Sequence, residues 1–269
     1  MRFTRLSFDV LDNCMAMVYA SNEKCQYEKA VIHGKRGLQA RKELAKVNST
    51  FTTKVVDGRT KQQDPEKANP AWFSGEVGLY MKFAEQTNGK KGTLVKKLPL
   101  KWAFHRDPND TGLARGWGWQ ENIDLSYWKK HRNQITVKNR KDYPATEWGM
   151  LRTDLYMQAQ GVRHPDRQPF LGYAWYRTTV DLGQKQTNRP VHIQFPGLFG
   201  EAWLYCNGKM VAHREQDPLW WHNDYAFTWE VDLSEHLEPG KNLLVVRNHI
   251  EHEPGGMFRR PFLYLPKQK

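Results

Sequence analysis

The chain has 269 residues, of which 39% are apolar and 13% aromatic, and a formal net charge of +12. That length suits one large domain or two modest ones, and no apolar stretch approaches the ~20 residues that a membrane span requires. The basic balance would suit a polyanion, yet there is no paired Cys/His zinc spacing, no RNP pattern and no Lys/Arg block beyond short pairs, so nucleic acid is not the expected partner.

At the start of the chain, Arg2 and Arg5 followed by Val18-Tyr19-Ala20 have the outline of a secretory leader. Asp9, Asp12 and Asn13 interrupt the apolar stretch that a leader needs. The compartment stays open, an extracytoplasmic one included. Residues 21–47 favour helix, with Ser21 as a cap, and Gly34 and Gly37 are expected to break that helix in two. Residues 48–70 are polar, end in Asp64-Pro65 and Asn69-Pro70, and read as loop. Trp72, Phe73, Val77, Leu79, Tyr80, Met81 and Phe83 suggest a strand, Asn88-Gly89 a turn and Thr93-Leu94-Val95 a second strand, together a hairpin.

Near residue 95 the chain changes character. The first hundred residues carry a formal +8 and the rest +4, while ten of the eleven tryptophans lie between Trp102 and Trp229. Strand patterns then follow one another. Leu98 to Phe104, Ala174 to Leu182 and Val191 to Phe195 alternate apolar with polar. Ala202 to Cys206 and Lys209 to His213 flank Asn207-Gly208, the strongest short hairpin signal. Tyr225 to Leu233, Leu243 to Arg247 and Phe262 to Leu265 complete the set. Many short strands with polar turns predict a mainly β chain, a β-sandwich of jelly-roll type, with a small mixed α/β extension at its start. The expected domains are 1–92, helix plus β-hairpin, and 93–269, the sandwich. Three cysteines at these spacings fit neither a disulfide framework nor a zinc site, and Cys206, in an apolar run, is expected as a buried thiol.

Four segments, in order, resemble the sugar-binding, galactose-binding-like domain of family 2 glycoside hydrolases, the β-galactosidase family. They are Gly172-Tyr173-Ala174-Trp175-Tyr176-Arg177, Phe195 to Gly208, Asp232-Leu233 with Leu237 to Arg247, and Gly255-Gly256-Met257-Phe258-Arg259-Arg260. Trp102-Ala103-Phe104 with Asp107-Pro108, Gly112 and Trp117 resembles the entry strand and first loop more loosely. In that family catalysis belongs to two glutamates on a separate barrel of ~250 residues, for which this chain has no stretch. The resemblance therefore implies a carbohydrate-binding domain accessory to polysaccharide degradation and not an enzyme by itself; an enzymatic chain would be a glycoside hydrolase. The alternatives are a fragment or subunit of a family 2-like hydrolase, which would bring a catalytic partner protein, and a protein-interaction scaffold.

Sugars are held by an aromatic face against the C–H face of the ring and by planar polar groups on the hydroxyls, and loops at a sandwich edge are the natural place. Gly116-Trp117-Gly118-Trp119-Gln120 offers Trp117 and Trp119, freed by glycines. The loop from Pro218 to Asp224 offers Trp220, Trp221 and His222; in an extended segment adjacent tryptophans point to opposite faces, so at most one is core. The loop from His249 to Gly256 offers Glu251 and Glu253, and the resemblance implies an acidic residue near this position that reaches a sugar pocket.

A glycosidase needs two carboxyls ~5–9.5 Å apart. Asp107 with Asp110 and Glu251 with Glu253 are the two candidate pairs, although loop carboxylates are ordinarily solvated. His249 and His252, three apart at a strand end, do not form a helical metal motif. No cofactor is expected; Asp107 and Asp110 are candidates for a structural calcium. The expected partner is a polysaccharide or oligosaccharide, anionic if the net charge decides.

Overall fold

The computed structural model describes residues 2–47, 53–56, 59–62, 71–132, 147–163, 170–252 and 254–267. Glu253 and the Asp64-Pro65 and Asn69-Pro70 pairs lie outside them. The chain divides into two compact units, Met1–Asn88 and Gly89–Lys269.

The first unit is helical. It contains α1 (Arg2–Val18), a single π-helical turn (Tyr19–Glu23), α2 (Tyr27–Val47), a hairpin of β1 (Thr53–Val56) and β2 (Arg59–Gln62), and α3 (Ala71–Thr87). Two expectations fail here. Phe73, Val77, Tyr80 and Ala84 recur at intervals of four, three and four, which places them on one face of α3 and not on alternate faces of a strand. Tyr27 meets that face, with its ring 5.2 Å from Phe83 and 6.3 Å from Tyr80. Gly34 and Gly37 do not break α2, which runs unbroken through both. A side chain at Gly34 would strike Val77 and Met17, and one at Gly37 would strike Phe73. The glycines are there for the close packing of three helices, and that contact outweighs the ~1 kcal/mol of helix propensity each one loses. The segment read as loop carries the β1–β2 hairpin.

The second unit holds β3 (Gly92–Lys97), β4 (Lys101–Asp107), α4 (Ser126–His131), β5 (Gly149–Arg152), β6 (Gly172–Leu182), α5 (Gln184–Thr187), β7 (His192–Phe195) and β8 (Gly197–Phe199). It continues with β9 (Glu201–Cys206), β10 (Lys209–Arg214), α6 (Trp220–Asn223), β11 (Trp229–Asp232), β12 (Gly240–Ile250), β13 (Gly256–Arg259) and β14 (Phe262–Pro266). A six-stranded antiparallel sheet runs β10-β9-β12-β6-β4-β5, a four-stranded one runs β11-β7-β14-β3, and β13 pairs with β8. With one helical unit and one unit of sheets, the chain is mixed and not mainly β.

Alternation along the strands sorts the side chains. Phe104, Tyr176, Leu204 and Val246 from the six-stranded sheet join Ile193, Phe195, Leu263 and Val231 from the four-stranded sheet in one buried cluster. Each fully buried Leu or Phe there contributes about 1.5–3 kcal/mol relative to exposure. Asn207 (φ 49°) and Gly208 (φ 83°) form the tight turn between β9 and β10, as their sequence predicts. Cys206 is buried; its thiol hydrogen-bonds the His236 carbonyl, and burial pushes it up to about 12.

The odd-numbered residues of β12 point to the outer face of the six-stranded sheet. At one end that face is roofed. Ala103, Trp175, Tyr205 and Val245 pack under Trp117, Trp148, Leu113, Ile123 and Leu125. Asp107 anchors the roof by accepting from the Thr111 and Gly112 amides and from Trp175 Nε1, at 2.8, 2.8 and 2.9 Å. Arg177 donates to the carbonyls of Trp117, Gln120 and Glu121, and burial lowers its guanidinium to about 10.

Candidate functional site

At its other end the outer face is open. Register brings Glu201 of β9 opposite His249 of β12, Tyr173 of β6 opposite His249 on the other side, and Trp203 opposite both Arg247 and His213. The side chains stack. The His249 ring lies 4.2 Å from Tyr173, and the His213 ring lies 4.8 Å from Trp203 and nearly parallel to it. The Arg247 guanidinium sits over both Tyr173 and Trp203, at 4.0 and 4.2 Å, and donates to Asp110 at 2.6 Å. This guanidinium–aromatic layer fixes the rings without locking any of them into the core.

Glu201 is the hub. Its Oε1 is 2.8 Å from His213 Nε2 and its Oε2 is 3.6 Å from His249 Nδ1. Glu251 Oε1 is 3.7 Å from the same His249 nitrogen. Glu201, Glu215, Gln216, His249, Glu251 and His252, with Phe199 and Gly200, line a half-open cavity of about 210 Å³. Three glutamates give it many hydrogen-bond acceptors, and the imidazoles add donors.

The backbone beneath the cavity is held from inside. Gly200 has φ 95°, and a side chain there would collide with the His249 carbonyl, so only glycine fits. Its amide donates to Gln216 Oε1 at 3.0 Å, and its carbonyl accepts from Arg214 Nη2 at 3.0 Å. Buried Asn248 bridges the carbonyls of Phe199 and Glu201 at 3.1 and 2.8 Å. Arg214 also donates to the Leu198 and Thr228 carbonyls, and burial lowers it to about 10.

The tryptophan loop follows directly after Glu215 and Gln216. It forms a helical turn, α6, and not an extended segment. Trp220 still turns inward, against Phe199 at 5.3 Å and Phe227 at 5.3 Å, while Trp221 is 60% exposed and His222 stands in solvent beside Asn223. Asp217 fastens the turn, accepting from the Leu219 amide and Asn223 Nδ2, both at 2.7 Å. The Asn223 bond first, then that of the Leu219 amide, holds its carboxyl below the usual range.

Of the residues singled out from sequence, Glu251 lines the cavity, while Trp220, Trp221 and His222 do not line it and stand on the loop that follows Gln216. Trp117 is an interior residue of the roof, 4.2 Å from His105 and 5.4 Å from Trp148. Trp119 is exposed but belongs to the opposite end of the sheet. Glu253 lies outside the described residues, so the Glu251 and Glu253 pair has no described geometry. Asp107 is occupied by its amide and indole donors and Asp110 by Arg247, so a calcium ion there would compete with existing hydrogen bonds. Among the described residues no group of three or more His, Cys, Asp or Glu is arranged to hold a metal ion, and no helix is long and apolar enough to cross a membrane.

Sequence reading missed Glu201, Tyr173, Trp203, His213 and Arg247. The signal was their shared parity, since all lie on the faces of β6, β9, β10 and β12 opposite the apolar ones. Register between strands distant in sequence was not readable from that parity.

No protein-family model matches the sequence, and no curated protein matches it. Among solved structures the chain is similar to β-glucuronidase from Ruminococcus gnavus in complex with D-glucuronic acid. The identity is 16% and the TM-score 0.48, over 66% of this chain and 30% of that one. It is likewise similar to the complex of that enzyme with uronic isofagomine at 15% identity and TM-score 0.47, over 66% and 29%. The chain thus spans less than a third of the length of these enzymes.

Proposed function

We propose that residues 89–269 form a carbohydrate-binding module of jelly-roll type, related to the sugar-binding domain of family 2 glycoside hydrolases, which holds a saccharide and does not cleave it. The saccharide occupies the cavity of Glu201, His249 and Glu251. One observation carries this reading: an acceptor-rich cavity on a backbone fixed by Asn248, Gln216 and Arg214, beside partly exposed rings. Such a site loses little conformational entropy when a sugar enters. Sugar hydroxyls donate to Glu201, Glu215 and Glu251, the Tyr173–His249 stack gives a planar wall, and Trp221 offers an exposed face on the loop that follows Gln216. Three carboxylates around one cavity disfavour a uronic or sulfated sugar, whatever the net charge of the chain, so the ligand class is neutral.

Isothermal titration calorimetry of the full chain tests this against neutral β-linked oligosaccharides of glucose, galactose and xylose and against a glucuronate-containing one. A neutral sugar binds, Glu201→Gln and Glu251→Gln each weaken it about tenfold, and no reducing ends are released. Binding that these substitutions leave unchanged, or release of reducing ends, sinks the reading.

A further inference from the structure

We propose a second site for neutral saccharides at the opposite end of the same sheet, built on Trp119. The indole is 52% exposed and lines a cavity of about 410 Å³ together with Glu121, Asn122, Glu238 and Lys241. A tryptophan left in solvent on a free loop would fold back onto apolar surface. Trp119 does not, because its loop is clamped. Its amide donates to the Gly116 carbonyl at 3.0 Å, the Gln120 amide donates to the same oxygen at 2.8 Å, and buried Arg177 binds the carbonyls on either side, Trp117 and Gln120. The Asn207-Gly208 turn stands against Trp119, so that a Cβ at Gly208 would meet the Trp119 Cβ at a tight 3.1 Å. The backbone that carries the ring is therefore held, and the indole edge lies close over Gly116, where a Cβ would come within 2.9 Å of Nε1, part of the preorganisation a stacking platform needs.

The polar groups suit the same ligand. The Glu121 and Glu238 carboxylates accept from hydroxyls, and the Lys241 ammonium donates. With two negative groups and one positive, a polyhydroxylated neutral ring fits better than an anion. Leu243 lines this cavity and His249 lines the first; they are six positions apart along β12, about 20 Å. The two cavities are distinct, and together they make attachment to a polymer bivalent, which raises retention without any new contact. The second site shares with the proposed function only the premise that this unit handles saccharides, and it does not depend on the first cavity.

Calorimetry of the full chain with the same neutral oligosaccharides separates the two. The second site predicts two binding sites per chain. Trp119→Ala removes one or weakens it about tenfold, the loss of one stacking ring, Trp119→Phe retains it, and Glu201→Gln affects only the other. Unchanged stoichiometry and affinity in Trp119→Ala, with loss in Glu201→Gln, overturns the second site and leaves the first. Loss in Trp119→Ala with none in Glu201→Gln supports the second and removes the first. No neutral sugar bound by the wild-type chain, or a preference of this site for the glucuronate-containing sugar, overturns the proposal.

Discussion

The outer face of the six-stranded sheet is roofed at one end and open at the other, although the same strands supply both. Under the roof β12 contributes Val245 and β6 contributes Trp175, both fully buried. One alternation further along, β12 contributes Arg247 and His249 and β6 contributes Tyr173, which stack into a half-open layer rimmed by carboxylates. The difference is not strand geometry, which is continuous, but what the neighbouring loops do. The loop after β4 folds over one end and is anchored by Asp107 and Arg177, while the loop after β10 stands beside the other end and leaves Trp221 in solvent. An arginine does opposite things in the two halves. Arg177 turns its donors to loop carbonyls and closes a core, whereas Arg247 lies flat between rings and supports a surface.

This contrast is broken most severely from the roofed side. Trp175→Ala removes a wholly buried indole from between Trp117 and Tyr205 and takes a donor from Asp107. It should cost about 4 kcal/mol and lower the melting temperature by roughly 10 °C, read by calorimetric unfolding. An intermediate effect comes from Cys206 in the sheet interior. Burial in the folded state pushes its thiol from the ordinary 9.0 up to about 12. The folded state therefore holds the proton where the unfolded state has lost it, so stability falls as pH rises above 9. That fall is worth up to about 1.4 kcal/mol per pH unit. Denaturant midpoints at pH 8 and pH 10 should drop for wild type by more than for Cys206→Val, and equal drops would refute the assignment. The smallest effect belongs to the open side. Trp221→Ala should change stability by less than about 0.5 kcal/mol while weakening saccharide binding, and a large loss of melting temperature would mean that this ring is structural after all.

The sheets were legible because their signals are local. Period-2 alternation in β6, β7 and β12 and the Asn207-Gly208 turn are written in consecutive residues. The first unit was not, since α3 offers enough aromatics to imitate alternation and the glycines of α2 look like breakers until Met17, Phe73 and Val77 are seen packed against them. The site was half legible. Glu251 and the loop tryptophans are conspicuous polar and aromatic residues in turn-rich segments. Glu201 and Tyr173 sit inside strands, where only the register of β9 and β6 on β12 makes them neighbours of His249.

Binding of a neutral saccharide at the open end of the face can be read residue by residue by nuclear magnetic resonance of the labelled full chain titrated with neutral oligosaccharides. Saturable shifts are expected at the amides of Gly200, Glu201, His249 and Glu251, with the Trp175 indole under the roof unmoved. Titration that leaves these four amides in place, for every neutral saccharide tried, would contradict it.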